Sequence, residues 1–240
     1  MSSCCADFKD AVQGQFNQET AESDRRRYRR KGPNPTTRLL RNMVLRSGGG
    51  RSLLDVGGGI GALSFELLAA GVEHSTLVDA SPAYQAVARN EARSRGDSNR
   101  MSFLEGDFVS VGQDVPHADI VVLDRVVCCY PKIEPLLEEA FRHSTRVCAL
   151  SYPRDTWIIR LMTLLQNRWR AFRHNAFRVY IHPARTMDAM AQRHGFRRVE
   201  RGGTLLWSVN AYLRSDGASP AAAPDAKGDD RPADESRRGD

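Results

Sequence analysis

Residues 53–61 restrict most strongly how this 240-residue chain can fold. An apolar run that carries Asp55 leads directly into four glycines within five positions, Gly57–Gly61. Glycine adopts positive φ without strain and leaves backbone N–H groups accessible. The apolar stretch at 62–70 predicts a helix whose positive N-terminal end faces this turn. The sequence therefore predicts a strand, a turn and a helix that bring backbone close to a ligand.

The glycine pattern alone does not name that ligand. The spacing Gly57-x-Gly59-x-x-Ala62 also satisfies the pattern for binding a dinucleotide pyrophosphate. Asp55 favours a different ligand, because a carboxylate there repels a pyrophosphate but receives an amine or a sulfonium. A NAD-dependent oxidoreductase stays open as the less favoured alternative.

After the glycine turn, strand and helix patterns alternate, which favours parallel βαβ units. The predicted strands are 53–56, 75–79, 101–105, 118–124 and 147–151. The predicted helices are 82–95, 133–143, 156–172 and 186–194. Two further strands, 196–200 and 205–213, are predicted to form a hairpin that turns at 201–204.

Each of the predicted parallel strands ends at or just before a polar residue. These residues are Asp55, Asp79, Asp107, Asp124 and Ser151. Open α/β sheets bind ligands at the carboxyl ends of their strands, so we expect these side chains along one rim. Asp79 also has the spacing, about 20 residues after the glycines, of an acid that accepts from ribose hydroxyls.

An acidic residue, any residue, and then Gly-x-Gly-x-Gly is matched by Asp55, Gly57, Gly59 and Gly61. In this motif the chain resembles the class I S-adenosylmethionine-dependent methyltransferases, and Gly195-Phe196 is similar to a Gly-Phe pair of that family. The resemblance covers about residues 50–214. It implies a Rossmann-like α/β fold with a mostly parallel seven-stranded sheet, an antiparallel last strand and helices on both faces. It also implies S-adenosyl-L-methionine as the cofactor.

The same resemblance implies roles for residues beyond the motif. Asp79 would bind the ribose hydroxyls, Asp107 would accept from the adenine amino group, and Phe108 would flank the ring. The other implied cofactor-binding residues are Ala80, Ser81, Gly106, Asp124 and Arg125. A structural ion pair remains the alternative role for Arg125, and a simple turn remains the alternative for Asp107.

A methylsulfonium is already a strong electrophile, so the protein mainly has to position the reactants. A hydroxyl acceptor is helped by a general base, whereas a carboxylate acceptor needs none. The candidate catalytic residues are His182, Tyr130 and Tyr28, with Tyr152 as a further base in the same region. Cys128 and Cys129 are interpreted as packing residues. No cluster of His, Cys, Asp and Glu has ligand spacing, so no metal is predicted.

Segments 123–131 and 180–182, with Phe16-Asn17, resemble the magnesium-protoporphyrin IX O-methyltransferases. That resemblance implies methylation of a propionate carboxylate on a porphyrin. Arg125 and the cysteine pair depart from the family's pattern, so the acceptor stays open among small molecules. The sequence-level prediction is methyl transfer to oxygen, as a hydroxyl or a carboxylate.

The arm Arg25–Lys31 places six basic residues around Tyr28. Such a segment could bind phosphates and stack on a base, so an RNA methyltransferase is the alternative function. The favoured interpretation is the solvated face of a helix that covers the cofactor, hinged at 32–35. The chain also lacks Asn-Pro-Pro-Tyr after the fourth strand, the signature of amino-group methylation on bases.

Three regions are predicted: an N-terminal helical arm or lid at 1–49, the cofactor-binding domain at 50–214, and a disordered tail at 215–240. The tail is rich in Asp, Ser, Ala, Pro and Gly. No apolar stretch approaches the ~20 residues of a membrane span, and the first residues lack a basic region followed by an apolar one. We therefore predict a cytoplasmic protein without a membrane span; the sequence does not indicate its oligomeric state.

Overall fold

The computed structural model describes residues 11–215, and the sheet at its centre has seven strands. The strands are β1 (Ser52–Val56), β2 (His74–Asp79), β3 (Met101–Glu105), β4 (Ala118–Asp124), β5 (Ser144–Pro153), β6 (Phe196–Gly203) and β7 (Trp207–Arg214). The helices are α1 (Gln18–Lys31), α2 (Pro35–Arg46), α3 (Ala62–Ala69), α4 (Pro82–Arg95), α5 (Phe108–Val111), α6 (Glu134–His143), α7 (Trp157–Phe172) and α8 (Ala184–Arg193). Apart from Ser215, the predicted tail lies outside the described residues.

The strand order is β3-β2-β1-β4-β5-β7-β6. The first five strands pair in parallel, and β7 is antiparallel to both β5 and β6. The predicted fold class is therefore confirmed. The order reverses between β1 and β4, which is where an open α/β sheet binds its ligand.

The hairpin prediction is right in kind but wrong in the position of its turn. β6 continues through Gly203, and the turn lies at 204–206. A Cβ on Gly203 would lie 2.2 Å from the Trp207 carbonyl oxygen, so glycine here serves close strand pairing. The two leucines of the turn, Leu205 and Leu206, were expected in the strand and instead lie outside it.

Alternating strand residues feed two hydrophobic cores, as the period of two requires. Leu53 and Ile120 belong to the core covered by α1, α2, α3 and α4. Leu54 and Val121 belong to the core covered by α5, α6 and α8. Helices thus cover both faces of the sheet, and the rim between them remains available.

The two N-terminal helices begin at asparagine caps. Asn17 accepts from the Thr20 N–H at the start of α1, and Asn34 accepts from two N–H groups at the start of α2. Gly32 joins them with φ 71°. Within residues 11–215 no helix combines the length and the apolar composition that crossing a bilayer requires.

Candidate cofactor and acceptor site

The glycine turn forms the floor of the site. Gly57, Gly59 and Gly61 all have positive φ, at 60°, 58° and 82°. A Cβ on Gly57 would lie 2.5 Å from Val126, and one on Gly58 would lie 2.8 Å from the Asp55 carboxyl carbon. Side chains are excluded here by both conformation and space, so backbone forms the ligand-facing surface.

Asp79, at the end of β2, anchors the turn. Its Oδ2 accepts from the Gly59 N–H at 2.8 Å, and its Oδ1 accepts from the Ser81 N–H at 2.8 Å. Burial raises the pKa of this carboxyl, while the two backbone donors oppose that rise. Each carboxylate oxygen keeps a further lone pair, so the group can accept from a ligand as well.

Asp55 lies beneath the turn and is fully buried. Its Oδ2 accepts from the Ser64 hydroxyl at 2.7 Å. Burial raises its pKa to about 7, and the neighbouring carboxylates of Asp124 and Asp79 add to the rise. Three acidic side chains therefore converge on one place, an arrangement that a positively charged ligand would stabilise.

A cavity opens above the turn at the carboxyl ends of the strands, with about 1230 Å³ of empty space including its mouth. The predicted cofactor residues that line it are Asp55, Gly57, Gly59, Asp79, Ala80, Gly106, Phe108, Asp124 and Arg125.

Three predicted cofactor residues lie outside the lining, and each has another contact. Gly61 occupies the left-handed N-cap of α3 against Phe65. Ser81 caps α4 and donates to the Phe16 carbonyl at 2.6 Å, which ties the N-terminal segment to the rim. Asp107 caps α5 and accepts from the Tyr130 hydroxyl. Their direct contact with a cofactor stays a prediction.

Each of the three predicted bases has another hydrogen-bond partner in the structure, and a catalytic role for any of them stays a prediction. The Tyr28 hydroxyl lines the cavity but donates to Glu66 at 3.0 Å, and burial raises its pKa. His182 lies outside the lining, where its Nε2 donates to the Tyr130 carbonyl at 2.9 Å. Burial likewise raises the pKa of Tyr130, which is poorly suited to take a proton near neutral pH. Tyr152 is buried in β5, and its hydroxyl accepts from Asn210.

Replacing Tyr28 with Phe tests whether this residue acts as a base. We expect the turnover number of Y28F to stay within about twofold of the wild type, because the hydroxyl serves Glu66 and not a substrate. The unfolding free energy should fall by about 1 kcal/mol, the usual value of one hydrogen bond. Steady-state kinetics and urea unfolding measure the two effects. A hundredfold loss of turnover in a folded protein would support Tyr28 as a base.

Sequence reasoning missed several residues that surround the site. Tyr84 donates to Asp24 at 2.8 Å and lies against Gly59, while Thr37 donates to Asp124. Arg27, assigned from sequence only to a basic arm, lines the cavity and lies 3.7 Å from Asp24. No local pattern marks these residues, because the fold brings them to the rim from distant segments.

Arg125 directly follows β4 and has a φ of 64°, a left-handed conformation that is uncommon for arginine. Its N–H donates to the Ser151 hydroxyl, which in turn donates to Asp124 Oδ1, and its guanidinium lies 3.7 Å from the same carboxylate. Strained backbone of this kind is tolerated where the surroundings fix it, commonly at functional sites. Both roles considered for Arg125, pocket residue and ion-pair partner, therefore occur together.

Three of the six basic residues of the arm, Arg25, Arg27 and Arg29, form ion pairs among the described residues. Arg25 pairs with Glu22 at 2.7 Å and Arg29 pairs with the buried Glu91 at 2.8 Å. Cys128 is buried, and Cys129 lines the cavity with a pKa raised by its hydrogen bond to Cys128 and by burial. These observations favour a covering helix over a nucleic-acid arm, and packing over nucleophilic cysteines.

Known proteins share this domain and this fold. A family model described as a methyltransferase domain matches residues 53–147. A ubiquinone/menaquinone biosynthesis C-methyltransferase from Allorhizobium ampelinum is 26% identical over 106 residues, which are 43% of this chain. The matched segment is only 41% of that relative's length.

Two solved structures extend the comparison. The magnesium protoporphyrin IX methyltransferase of Synechocystis, crystallised with S-adenosylhomocysteine, superposes with a TM-score of 0.69 at 20% identity. The alignment covers 86% of this chain and all of that chain. A sarcosine dimethylglycine methyltransferase described for Galdieria sulphuraria reaches 0.60 at 12% identity, with 75% and 86% covered.

The domain match and the shared fold agree with the glycine floor and its ring of carboxylates. They argue against the dinucleotide alternative, since a pyrophosphate would be placed against three acidic groups. The cofactor that fits is S-adenosyl-L-methionine, whose sulfonium and amino group are cationic. Residues 53–147 match a methyltransferase domain, and the chain shares the fold of the magnesium protoporphyrin IX methyltransferase of Synechocystis.

Proposed function

We propose that this protein transfers the methyl group of S-adenosylmethionine to a carboxylate oxygen of a small, largely apolar molecule. The observation that carries the proposal is the distribution of charge in one cavity. Asp55, Asp79 and Asp124 lie on the sheet side, where Arg125 follows β4 beside Asp124, whereas Arg27 lies in α1 beside Asp24. One part suits a cationic donor, and the arginines suit an anionic acceptor.

We assign the cofactor to the acidic side of the cavity. Asp79 would accept from the ribose hydroxyls with its remaining lone pairs, and the glycine turn would lie against the amino-acid portion. Phe108 and Gly106, which line the cavity beyond β3, would flank the adenine. Asp107, which accepts from the Tyr130 hydroxyl, would accept from the adenine amino group with a remaining lone pair.

We assign the acceptor to the side of α1. The described residues that line the cavity include no histidine and no lysine, and the tyrosines there hold their protons tightly. A carboxylate needs no base because its oxygen carries no proton at neutral pH. Arginine binds a carboxylate through two parallel N–H bonds, so either pocket arginine could orient it.

The cofactor supplies an electrophilic methyl carbon when it is bound. The chain's own contribution is orientation: the arginines hold the acceptor oxygen in line, and the N-terminal helices cover the reactants. The apolar lining residues Val12, Ile60 and Val126 exclude water from that path. Positioning of this kind accounts for several kcal/mol of barrier reduction.

The proposal is tested with methyl-labelled S-adenosylmethionine and a panel of acceptors: porphyrin propionates, other apolar carboxylic acids, the matching alcohols, and RNA. We expect label in the carboxylic acids, in a product that mild alkali hydrolyses, as a methyl ester requires. Alkali-stable label in the alcohols, or label in RNA, would contradict the proposal.

The arginines are tested in the same assay. We expect Arg125→Gln and Arg27→Gln each to raise the acceptor KM about tenfold or more, since a hydrogen bond to a charged group is worth about 1.5–3 kcal/mol. The dissociation constant of S-adenosylhomocysteine should change little. The matched control is Arg30→Gln, an exposed arginine of the same helix outside the cavity lining. Equal effects in all three variants would contradict the assignment of these arginines to the acceptor.

A further inference from the structure

Helix α7 packs on the rest of the protein through its polar side. No residue of its 16 is buried. The half-buried ones are Ile159, Thr163, Asn167 and Arg170, which recur at helical spacing and define one face. Asn167 exchanges two hydrogen bonds with the Val179 backbone, at 2.8 and 3.0 Å, and Arg170 lies over the Phe177 ring. The docked face is therefore mostly polar.

The opposite face of α7 is apolar and exposed. A helix that faced a protein core would show the reverse arrangement, with its apolar side inward. The exposed fractions are Trp157 73%, Ile158 50%, Leu161 47%, Met162 52%, Leu164 56%, Leu165 58%, Trp169 60% and Phe172 76%. We call this set the outer face of α7.

The turn after β6 extends the outer face. Leu205 is 88% exposed and Leu206 is 42% exposed. Arg154, just before α7, donates from its backbone to the Leu206 carbonyl and from its side chain to the Thr204 carbonyl. These bonds hold the turn beside the start of the helix. Contiguous apolar surface of this kind marks an interaction site in a monomeric protein.

The positive charge around the outer face indicates what kind of partner can bind there. α7 contains no acidic residue, and Asp155 before it is paired with Arg160 at 2.5 Å. Arg168 lies within the outer face and Arg173 at its edge, and both are exposed. In a symmetric dimer through this face the exposed arginines of the two copies would be brought together, which is unfavourable. The acidic tail 216–240 has no large apolar residue with which to cover the face.

We propose that the outer face of α7 docks on the surface of a bilayer that contains anionic lipid. An amphipathic helix with tryptophan and leucine on one side and with exposed arginines lies in the plane of the lipid headgroups. The tryptophan rings suit that depth, and arginines attract anionic headgroups. Helix α7 would lie on the membrane without crossing it, and the proposal does not depend on the identity of the methyl acceptor.

Vesicle flotation tests the proposal with the full-length protein. We expect binding to vesicles of phosphatidylcholine with about 30% phosphatidylglycerol, at least tenfold weaker binding to pure phosphatidylcholine, and weakening by 0.5 M salt. Leu165→Glu should reduce binding at least tenfold. The matched control Val199→Glu, at a half-exposed apolar residue of β6, should bind like the wild type. S-adenosylhomocysteine titration verifies that both variants are folded.

Three outcomes would overturn the proposal: no flotation of the wild type with anionic vesicles, equal flotation with neutral vesicles, or equal loss in the two variants. Sedimentation velocity without lipid tests the other possible occupant, a second copy of the chain. A dimer of the wild type that Leu165→Glu dissociates would show that a second copy covers the outer face, and would equally overturn it.

Discussion

Replacement of Asp79 by Ala should weaken S-adenosylhomocysteine binding by at least about 100-fold. The carboxylate anchors the glycine turn through Gly59 and the start of α4 through Ser81, and both bonds are buried. Its loss leaves two N–H groups unpaired, at about 1–3 kcal/mol each, and removes the proposed ribose acceptor. Calorimetric titration measures the affinity, and thermal unfolding without ligand measures the structural part.

Glu105→Ala is the matched control for this variant. Glu105 pairs in register with Asp79 on the neighbouring strand, is exposed and lies outside the cavity lining. Its removal changes the charge equally at the same rim. Binding by this control should remain within about twofold of the wild type. A similar loss in both variants would indicate a general electrostatic effect instead of a specific contact.

A ligand change separates the two functions of Asp79. The 2′,3′-dideoxy analogue of S-adenosylhomocysteine lacks the proposed hydrogen-bond donors. In the wild type it should bind about tenfold or more weakly than the parent, whereas Asp79→Asn should discriminate less. Equal discrimination by both proteins would leave Asp79 as the anchor of the turn and remove the ribose assignment.

The sequence predicted best those features that depend on neighbours along the chain. Ser81 and Pro82 mark the start of α4, and that helix runs from Pro82 to Arg95 as predicted. The strand 118–124 also has its predicted bounds, because seven mostly apolar residues between turns have few alternatives. The glycines and the acids at strand ends also located the rim, because both patterns are local in the sequence.

Contacts between distant segments were beyond sequence reasoning. The sequence around Tyr28 does not indicate its partner Glu66, which is 38 residues away and accepts a hydrogen bond from the Tyr28 hydroxyl. The apolar residues of α7 fit a buried helix equally well in sequence. The contact of Asn167 with Val179 and the exposure of the apolar residues show that this helix turns its apolar side outward. Surfaces formed by contacts between distant segments can be identified only from the folded structure.

The affinity for S-adenosylmethionine should rise relative to that for S-adenosylhomocysteine as the pH increases from 6 to 8. The two ligands share adenosine and amino-acid groups and differ in the charge of the sulfur. Burial raises the pKa of Asp55 to about 7, so its carboxyl is protonated at pH 6 and ionised at pH 8. A nearby cation favours the ionised form, and its binding therefore releases a proton below about pH 7.

The expected change in the affinity ratio is several-fold and at most about tenfold per pH unit, which is the limit for one proton. Titrations of both ligands at pH 6, 7 and 8 measure it. In Asp55→Asn the ratio should be flat, since the amide does not titrate and keeps an oxygen to accept from Ser64. Sulfur charge and Asp55 are coupled only if the wild-type ratio changes and the variant ratio does not. A pH-independent ratio in the wild type would place the sulfonium away from Asp55 and leave Asp124 as the acidic group beside the donor.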